Sequence, residues 1–142
     1  MFEKWGHWER FGLLSLVAAA LSACGGEEIR VRSDQAVALA VGDTLRLEDG
    51  GPRVTFTAVS EDSRCAKGVQ CIWAGQAKVK LRIVGEVSKD YVLTVLGMKE
   101  KVSVLLEAAG LRIECRRLAP YPVDGVAIDP KSYKLTLSLS RL

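Results

Sequence analysis

The sequence is poorest in histidine and asparagine, with His7 as its one histidine and no asparagine in 142 residues. Aromatic residues make up only 6% of the chain, and basic and acidic residues nearly balance at 20 and 17. A net charge of +3 is too small to indicate a nucleic-acid partner, which usually requires a concentrated basic face. The length suits one domain with a small appendage and excludes a multi-domain machine.

The first part of the chain has the composition of an export signal. Residues 1–10 carry Lys4 and Arg10, residues 11–20 form the uncharged apolar run FGLLSLVAAA, and small residues then precede Cys24. A basic start, a short apolar stretch and small residues before a cleavage site are typical of a secretory signal peptide. The thirteen residues from 11 to 23 are too few to cross a bilayer as a helix.

The segment Leu21-Ser22-Ala23-Cys24 resembles the lipobox of bacterial lipoproteins. The resemblance implies cleavage before Cys24, lipid on its thiol and an acyl group on its new amino terminus. Two or more acyl chains anchor a protein stably, whereas one gives marginal binding. Gly25 follows, where aspartate would favour retention in the inner membrane of a Gram-negative cell, so the resemblance implies the outer membrane, facing the periplasm. The alternative is an ordinary signal peptide followed by a coincidental cysteine.

Cleavage at this point changes what the sequence can do. We expect a signal peptide over 1–23, a lipidated amino terminus and tether over 24–34, and a β domain over 35–142. The mature chain then contains no histidine, because His7 is removed. This excludes Ser-His-Asp and Cys-His nucleophilic sites, histidine zinc sites and histidine acid–base catalysis. We therefore expect no enzyme activity, no metal and no cofactor.

Apolar and polar residues alternate with a period of two through most of the mature chain, as in strands with one buried face. The clearest runs are 37–41, 54–58, 79–83, 111–116 and 133–139, separated by glycine- and proline-containing turn signals. The pattern predicts an all-β domain, a small antiparallel β-sandwich or barrel of about seven or eight strands. The stretch Val102–Ala109 is the expected exception, since its composition favours a helical turn.

Two cysteines, Cys65 and Cys71, are separated by five residues in a chain expected to be exported, which predicts a disulfide between them. Closing so small a loop stabilises the fold by about 2 kcal/mol in the chain-entropy model. The bridge would pin an exposed loop between strands ending near Val59 and starting near Ile72. Cys115 lies on the apolar face of its run and is expected to be a buried core residue. Pairing of Cys115 with either of the other two remains open.

The segment D-S-R-C-x5-C-x-W-x-G at 62–75, with Leu118-Ala119-Pro120-Tyr121-Pro122 downstream, resembles a recurrent pattern in small uncharacterised bacterial lipoproteins. Members of that group often have proline after the first cysteine, where this chain has Ala66. The resemblance supports the type of domain and implies no reaction, ligand or partner.

The candidate binding loop consists of residues in and near the expected bridge: Asp62, Arg64, Lys67, Trp73 and Tyr121. In a functional interpretation, Asp62 and Arg64 form an ion pair that faces a ligand, and Trp73 is a stacking platform. In a structural interpretation, Asp62 accepts loop N–H groups, Arg64 pairs locally and Trp73 packs in the core. The two prolines around Tyr121 predict a rigid extended segment that either presents or buries its ring.

Three classes of function remain. The leading hypothesis is a non-enzymatic, lipid-anchored envelope domain that binds a partner protein or an envelope component, or has a structural role. The second is a protease-inhibitor-like module that presents the Cys65–Cys71 loop with Lys67 at its tip. The third is a carboxylate-dependent enzyme acting on an envelope polysaccharide through Glu61 and Asp62, although neighbours in a strand point to opposite faces.

Two weaker charge patterns remain. Alternating Lys78, Lys80 and Arg82, with Arg112 and Arg116 as possible neighbours, predict either a basic stripe for an anionic envelope polymer or the solvated face of an antiparallel sheet. The acidic pairs at 48–49 and 61–62 offer oxygens of the kind that Ca²⁺ prefers, but neither lies in a recognisable calcium loop.

Overall fold

The computed structural model describes residues 25–97 and 101–142, with the side chains of residues 101 and 102 excepted. These residues form nine strands: β1 Glu28–Val31, β2 Val37–Ala40, β3 Thr44–Leu47, β4 Arg53–Asp62, β5 Gln76–Val84, β6 Ser88–Leu96, β7 Lys101–Ala108, β8 Leu111–Ala119 and β9 Lys134–Arg141. A short 3₁₀ helix covers Pro130–Ser132. The prediction of an all-β domain is confirmed, with slightly more strands than expected.

The strands form two sheets that pack as a sandwich. One sheet has the order β1-β3-β4-β5-β6, and the other has the order β2-β9-β8-β7. All neighbouring strands are antiparallel except β1 and β3, which run parallel. The inward side chains of both sheets form one core, which is densest on the central strands β5, β8 and β9. Cys115 is fully buried in that core with a free thiol, as predicted.

Two stretches differ from expectation. Residues 102–109 are not a helical turn, because Lys101–Ala108 is an edge strand paired with β8. The cross-strand hydrogen bonds and the burial of Ala108 outweigh a helical propensity that is only a weak prior. The chain also enters the sandwich before residue 35, because Glu28–Val31 pairs with β3 and Val31 lies in the core. Residues 28–31 therefore belong to the β domain, which was expected to begin at residue 35.

Strand directions bring several connections to one end of the sandwich, which we call the loop end. The amino-terminal residues 25–27, the β2–β3 turn, the β4–β5 connection and the segment 120–133 all lie there. The β3–β4, β5–β6 and β7–β8 turns lie at the opposite end. Residues far apart in sequence therefore meet at the loop end.

Candidate functional site

A disulfide closes the β4–β5 connection at the loop end. The sulfurs of Cys65 and Cys71 are 2.03 Å apart and their Cα atoms 5.9 Å apart, so the predicted pairing is confirmed. The buried position of Cys115 excludes the alternative pairings. The connection is longer on its second side than predicted, since β5 begins at Gln76 and not near Ile72. Thirteen residues, 63–75, are therefore available to form the loop.

Two irregularities interrupt the alternation of inward and outward side chains in β4. Register shifts lie between Phe56 and Ala58 and between Val59 and Glu61. Each shift moves the following side chains to the other face of the sheet. The two shifts cancel, so Asp62 faces the same side as Val54 and Phe56 and lies opposite the buried Ala77, on the inner face.

Asp62 and Arg64 form a nearly buried ion pair at the base of the loop. Their side chains are 9% and 1% exposed, respectively. Nε of Arg64 donates to Oδ1 of Asp62 at 2.8 Å, and Nη2 donates to Oδ2 at 2.7 Å. The remaining N–H groups of the guanidinium reach across to the other sheet, where the carbonyl oxygens of Leu118 and Pro120 accept at 2.9 Å each. The bidentate contact with Asp62 fixes the guanidinium, and the two carbonyl contacts join the end of β4 to the end of β8.

Tyr133, which immediately precedes β9, is the third side chain of the cluster. Its hydroxyl donates to Oδ2 of Asp62 at 2.9 Å. Burial on its own would raise the pKa of Asp62, but the hydrogen bonds from Arg64 and Tyr133 and the charge of Arg64 outweigh it and lower that pKa. Burial and the neighbouring carboxylate raise the pKa of Tyr133 to about 12. Asp62 is therefore a stable anion at neutral pH, and the structural interpretation describes this pair better than a ligand-facing one.

Tyr121 couples the 120–133 segment to the disulfide loop. Its hydroxyl donates to the carbonyl oxygen of Cys65 at 2.8 Å, and its ring centroid lies 5.2 Å from Cζ of Arg64. Nζ of Lys67 lies 5.7 Å from the same centroid. The N–H of Lys67 donates to the carbonyl oxygen of Pro122, and its carbonyl oxygen accepts from the N–H of Asp124. Lys67 is thus on the surface, but its backbone is held in a short pairing and does not form a free tip.

The other half of the loop presents large apolar side chains to solvent. Ile72 is 93% exposed and Trp73 is 81% exposed. The structural interpretation in which Trp73 packs in the core is wrong, because its side chain lies on the surface of the loop. Of the predicted binding residues, Asp62, Arg64 and Tyr121 hold the loop, and Trp73 projects from it.

Glycines allow the loop to pack tightly at its base. A side-chain carbon on Gly75, whose φ is +67°, would collide with the carbonyl oxygen of Ser63. A carbon on Gly97 would collide with the carbonyl oxygen of Ala74. The disulfide, the buried ion pair and these close backbone contacts together fix the position from which Trp73 projects.

Glu61 and Asp62 face opposite sides of the sheet. Glu61 forms a surface ion pair with Lys78, whose Nζ lies 2.8 Å from Oε2. The hydrogen bond and charge of Lys78 lower the pKa of Glu61. Because both carboxyl groups are stabilised as anions and diverge, they do not form the facing acid and base of a glycosidase.

The basic residues do not form one stripe. Lys78, Lys80 and Arg82 lie on β5, whereas Arg112 and Arg116 lie on β8 in the other sheet. The expectation that the two sets are neighbours is wrong, because the outer faces of a sandwich point away from each other. Four of these cations form surface ion pairs with carboxylates: Lys78 with Glu61, Arg82 with Asp90, Arg112 with Glu107 and Arg116 with Glu114.

The acidic residues at 48–49 are also engaged. Glu48 lies 3.7 Å from Arg32, and Asp49 lies 3.1 Å from Arg141. Within residues 25–97 and 101–142, no group of three or more His, Cys, Asp or Glu side chains is placed to hold a metal ion. The described residues also contain no helix long and apolar enough to span a bilayer.

Sequence reasoning missed three parts of the site: Tyr133, the carbonyl acceptors of Leu118 and Pro120, and the exposure of Ile72. The P-Y-P segment was the available signal, since it marked the stretch that lies against the loop. Sequence reasoning also missed an open concavity of about 820 Å³ at the opposite end, with Arg46, Arg53 and Lys89 on its walls. Lipidation of Cys24 concerns a residue outside those described.

The comparisons with known proteins add no relative. The chain matches no protein-family model, no curated protein and no solved structure.

Proposed function

We propose that the protein is a lipid-anchored domain of the bacterial cell envelope that binds an envelope component through its loop end and catalyses no reaction. The observation that carries the proposal is the exposure of Ile72 and Trp73 on a loop that is fixed from below. Exposed apolar side chains of this size oppose solubility unless something covers them. Fixing such side chains in advance lowers the ordering cost of binding.

The anchoring part of the proposal is supported by the lipobox at 21–24 and by the fold. The first described residues, Gly25 and Gly26, precede β1 by so little that acyl groups on Cys24 would hold the sandwich close to the membrane. Outer-membrane attachment facing the periplasm follows from Gly25 in a Gram-negative host. A disulfide is the form expected of cysteines in that oxidising compartment.

The two alternative functions have less support. A protease-binding loop offers an extended backbone to the protease, but the backbone N–H and C=O groups of Lys67 already pair with the segment 120–133. A carboxylate-dependent enzyme requires two carboxyl groups that face one cleft, and Glu61 and Asp62 point apart. Binding of an anionic polymer is weakened by the carboxylates that pair with the basic residues of both sheets.

Anchoring is tested by mass spectrometry of the amino-terminal peptide from protein extracted from its own envelope. We expect the peptide to begin at Cys24 and to carry acyl groups, and the Cys24→Ala variant to remain uncleaved. A peptide that begins at Cys24 without acyl groups would contradict the anchoring.

Binding is tested by placing a photoreactive phenylalanine derivative at position 73 in living cells. The matched control is position 105, because Leu105 is 59% exposed but lies on the edge strand β7, away from the loop end. We expect cross-links to an envelope component from position 73 and none from position 105. Equal labelling at both positions, or none at either, would contradict a binding role for the loop.

A further inference from the structure

The exposed apolar side chains of the loop end belong to several segments that are distant in sequence. They come from the disulfide loop, from the end of β6 and from the segment 120–133: Val69, Ile72, Trp73, Leu96, Val123 and Val126. A backbone β-bridge between Lys67 and Val123 joins the disulfide loop to the segment 120–133. Leu96 pairs with Gln76 at the start of β5. We call these six residues the apolar rim.

The amino terminus leaves the sandwich toward the same end. β1 runs parallel to β3 and antiparallel to β4, so Glu28 is the residue of β1 closest to the loop end. The preceding residues follow β3 toward the β2–β3 turn, where the N–H of Glu27 donates to Asp43. Any anchor attached at residue 24 therefore pulls the loop end toward its membrane.

The connecting chain is too short to hold the rim away from the lipid. Only Gly25 and Gly26 lie between Cys24 and Glu27, and the three steps from Cα to Cα span at most about 10 Å when fully extended. Phe56 marks the level at which the tether leaves the sheet, because its N–H donates to the carbonyl oxygen of Asp43. Between Phe56 and Asp62 the paired positions on β5 run from Leu81 to Ala77, an advance of four residues. That advance is about 13 Å toward the loop end, so the loop projects beyond the point where the tether leaves the sheet.

The chemistry of the rim matches the interfacial region of a bilayer. Tryptophan is enriched at the level of the lipid headgroups, where its ring is partly apolar and its N–H still finds an acceptor. Ile72 and the valines supply apolar surface of the kind that enters the boundary between headgroups and acyl chains. Lys67 lies at the same end as Asp124 and Glu27, so the charges there are of both signs and the apolar side chains carry the contact.

From this geometry we infer that the apolar rim docks on the bilayer that holds the lipid anchor and inserts Trp73 into its headgroup region. The inference rests on the proposed anchoring and names the surface that the loop end binds. The loop orients the domain, whereas the acyl chains supply most of its affinity. The opposite end, with its concavity, then faces away from the membrane.

Trp73 is a suitable fluorescent probe in the mature protein. The other two tryptophans of the sequence, Trp5 and Trp8, precede the expected cleavage site and are removed with the signal peptide. The experiment uses the acylated protein in vesicles of phosphatidylcholine and phosphatidylethanolamine, with its acyl groups first verified by mass. Emission of Trp73 is measured with brominated phosphatidylcholine in the bilayer and with acrylamide in the water. We expect the emission of Trp73 in vesicles to be shifted to the blue relative to its emission in deacylated protein in detergent-free buffer. We also expect strong quenching by the brominated lipid and weaker quenching by acrylamide than in the deacylated protein.

The matched control moves the tryptophan to the exposed side of β7, as Trp73→Phe combined with Leu105→Trp. Its emission is expected to be quenched by acrylamide and not by brominated lipid. The inference is wrong if, in acylated protein, Trp73 of the wild type and the tryptophan of the control variant respond alike to both quenchers. It is also wrong if Trp73 stays fully accessible to acrylamide, as it would if its natural partner were a protein. Both outcomes leave the anchoring intact. A chain recovered without acyl groups overturns the anchoring and the inference together.

Discussion

Replacing Arg64 by methionine tests the cluster that holds the disulfide loop. The side chain of Arg64 donates four hydrogen bonds, two to Asp62 and one each to the carbonyls of Leu118 and Pro120. Methionine fills much of the volume but leaves the carboxylate buried with only the hydroxyl of Tyr133 as a side-chain donor. Breaking a buried pair by removing one partner costs about 3–5 kcal/mol, and we expect a loss of that size for Arg64→Met.

Urea unfolding followed by far-ultraviolet circular dichroism measures the loss. With a denaturant slope of about 1–3 kcal/mol per molar urea, a loss of about 3 kcal/mol lowers the midpoint by about 1 M or more. The control is Arg82→Met, which breaks an ion pair with Asp90 whose partners are both more than half exposed, and we expect it to lower the midpoint far less than Arg64→Met does. Equal losses in the two variants would refute the reasoning.

Acid titration separates the charge of Asp62 from the packing of Arg64. The folded state lowers the pKa of Asp62 below its ordinary value of 3.8, so the pair stabilises the protein above that value. The contribution is lost as the pH falls through the folded-state pKa. The stability gap between wild type and Arg64→Met should therefore narrow in acid, and the double variant Asp62→Asn with Arg64→Met should be more stable at neutral pH than Arg64→Met alone. A gap that does not change with pH would assign the effect to packing.

Three further predictions concern the cysteines and glycines. Replacing both Cys65 and Cys71 by serine should lower the free energy of unfolding by about 2 kcal/mol, measured by urea unfolding, and a loss near zero would show that the loop is held without the bridge. The thiol of Cys115, whose pKa burial raises to about 12, should not react with a thiol-specific disulfide reagent until the protein unfolds; labelling in native buffer at the rate of the unfolded chain would contradict its burial. Gly75→Ala should destabilise the protein more than Gly68→Ala, because both positions have positive φ but only at position 75 does the new carbon meet a backbone carbonyl; equal midpoints in urea would contradict that close approach.

The sheet structure was largely predictable because burial on one face of a strand leaves a period of two in the sequence. The runs at 79–83 and 133–139 correspond to central strands whose inward residues are fully or nearly fully buried. Prediction was weakest at an edge. Residues 102–109 combine alanine, leucine and glutamate, which suit a helix, and only the neighbouring β8 makes them a strand.

The local part of the site was predictable and the distant part was not. The spacing of Asp62, Arg64 and the two bridge cysteines indicates a clasped loop, because these residues are close in sequence. The hydroxyl of Tyr133 lies 71 positions from Asp62, and no local pattern marks it as a partner. The exposure of Trp73 was unpredictable for a related reason, since it depends on which side of a folded loop faces the core.

The parallel pairing of β1 with β3 has a mechanical consequence for a chain that is held at its amino terminus. Tension on residue 25, directed away from the sheet along β1, acts along the strand and not across it. The evenly spaced hydrogen bonds of a parallel pair then share the load in shear, whereas a hairpin pulled at its open end would unzip one bond at a time. A strand of only four residues can in this way transmit force from an anchor to the core without peeling from the sheet.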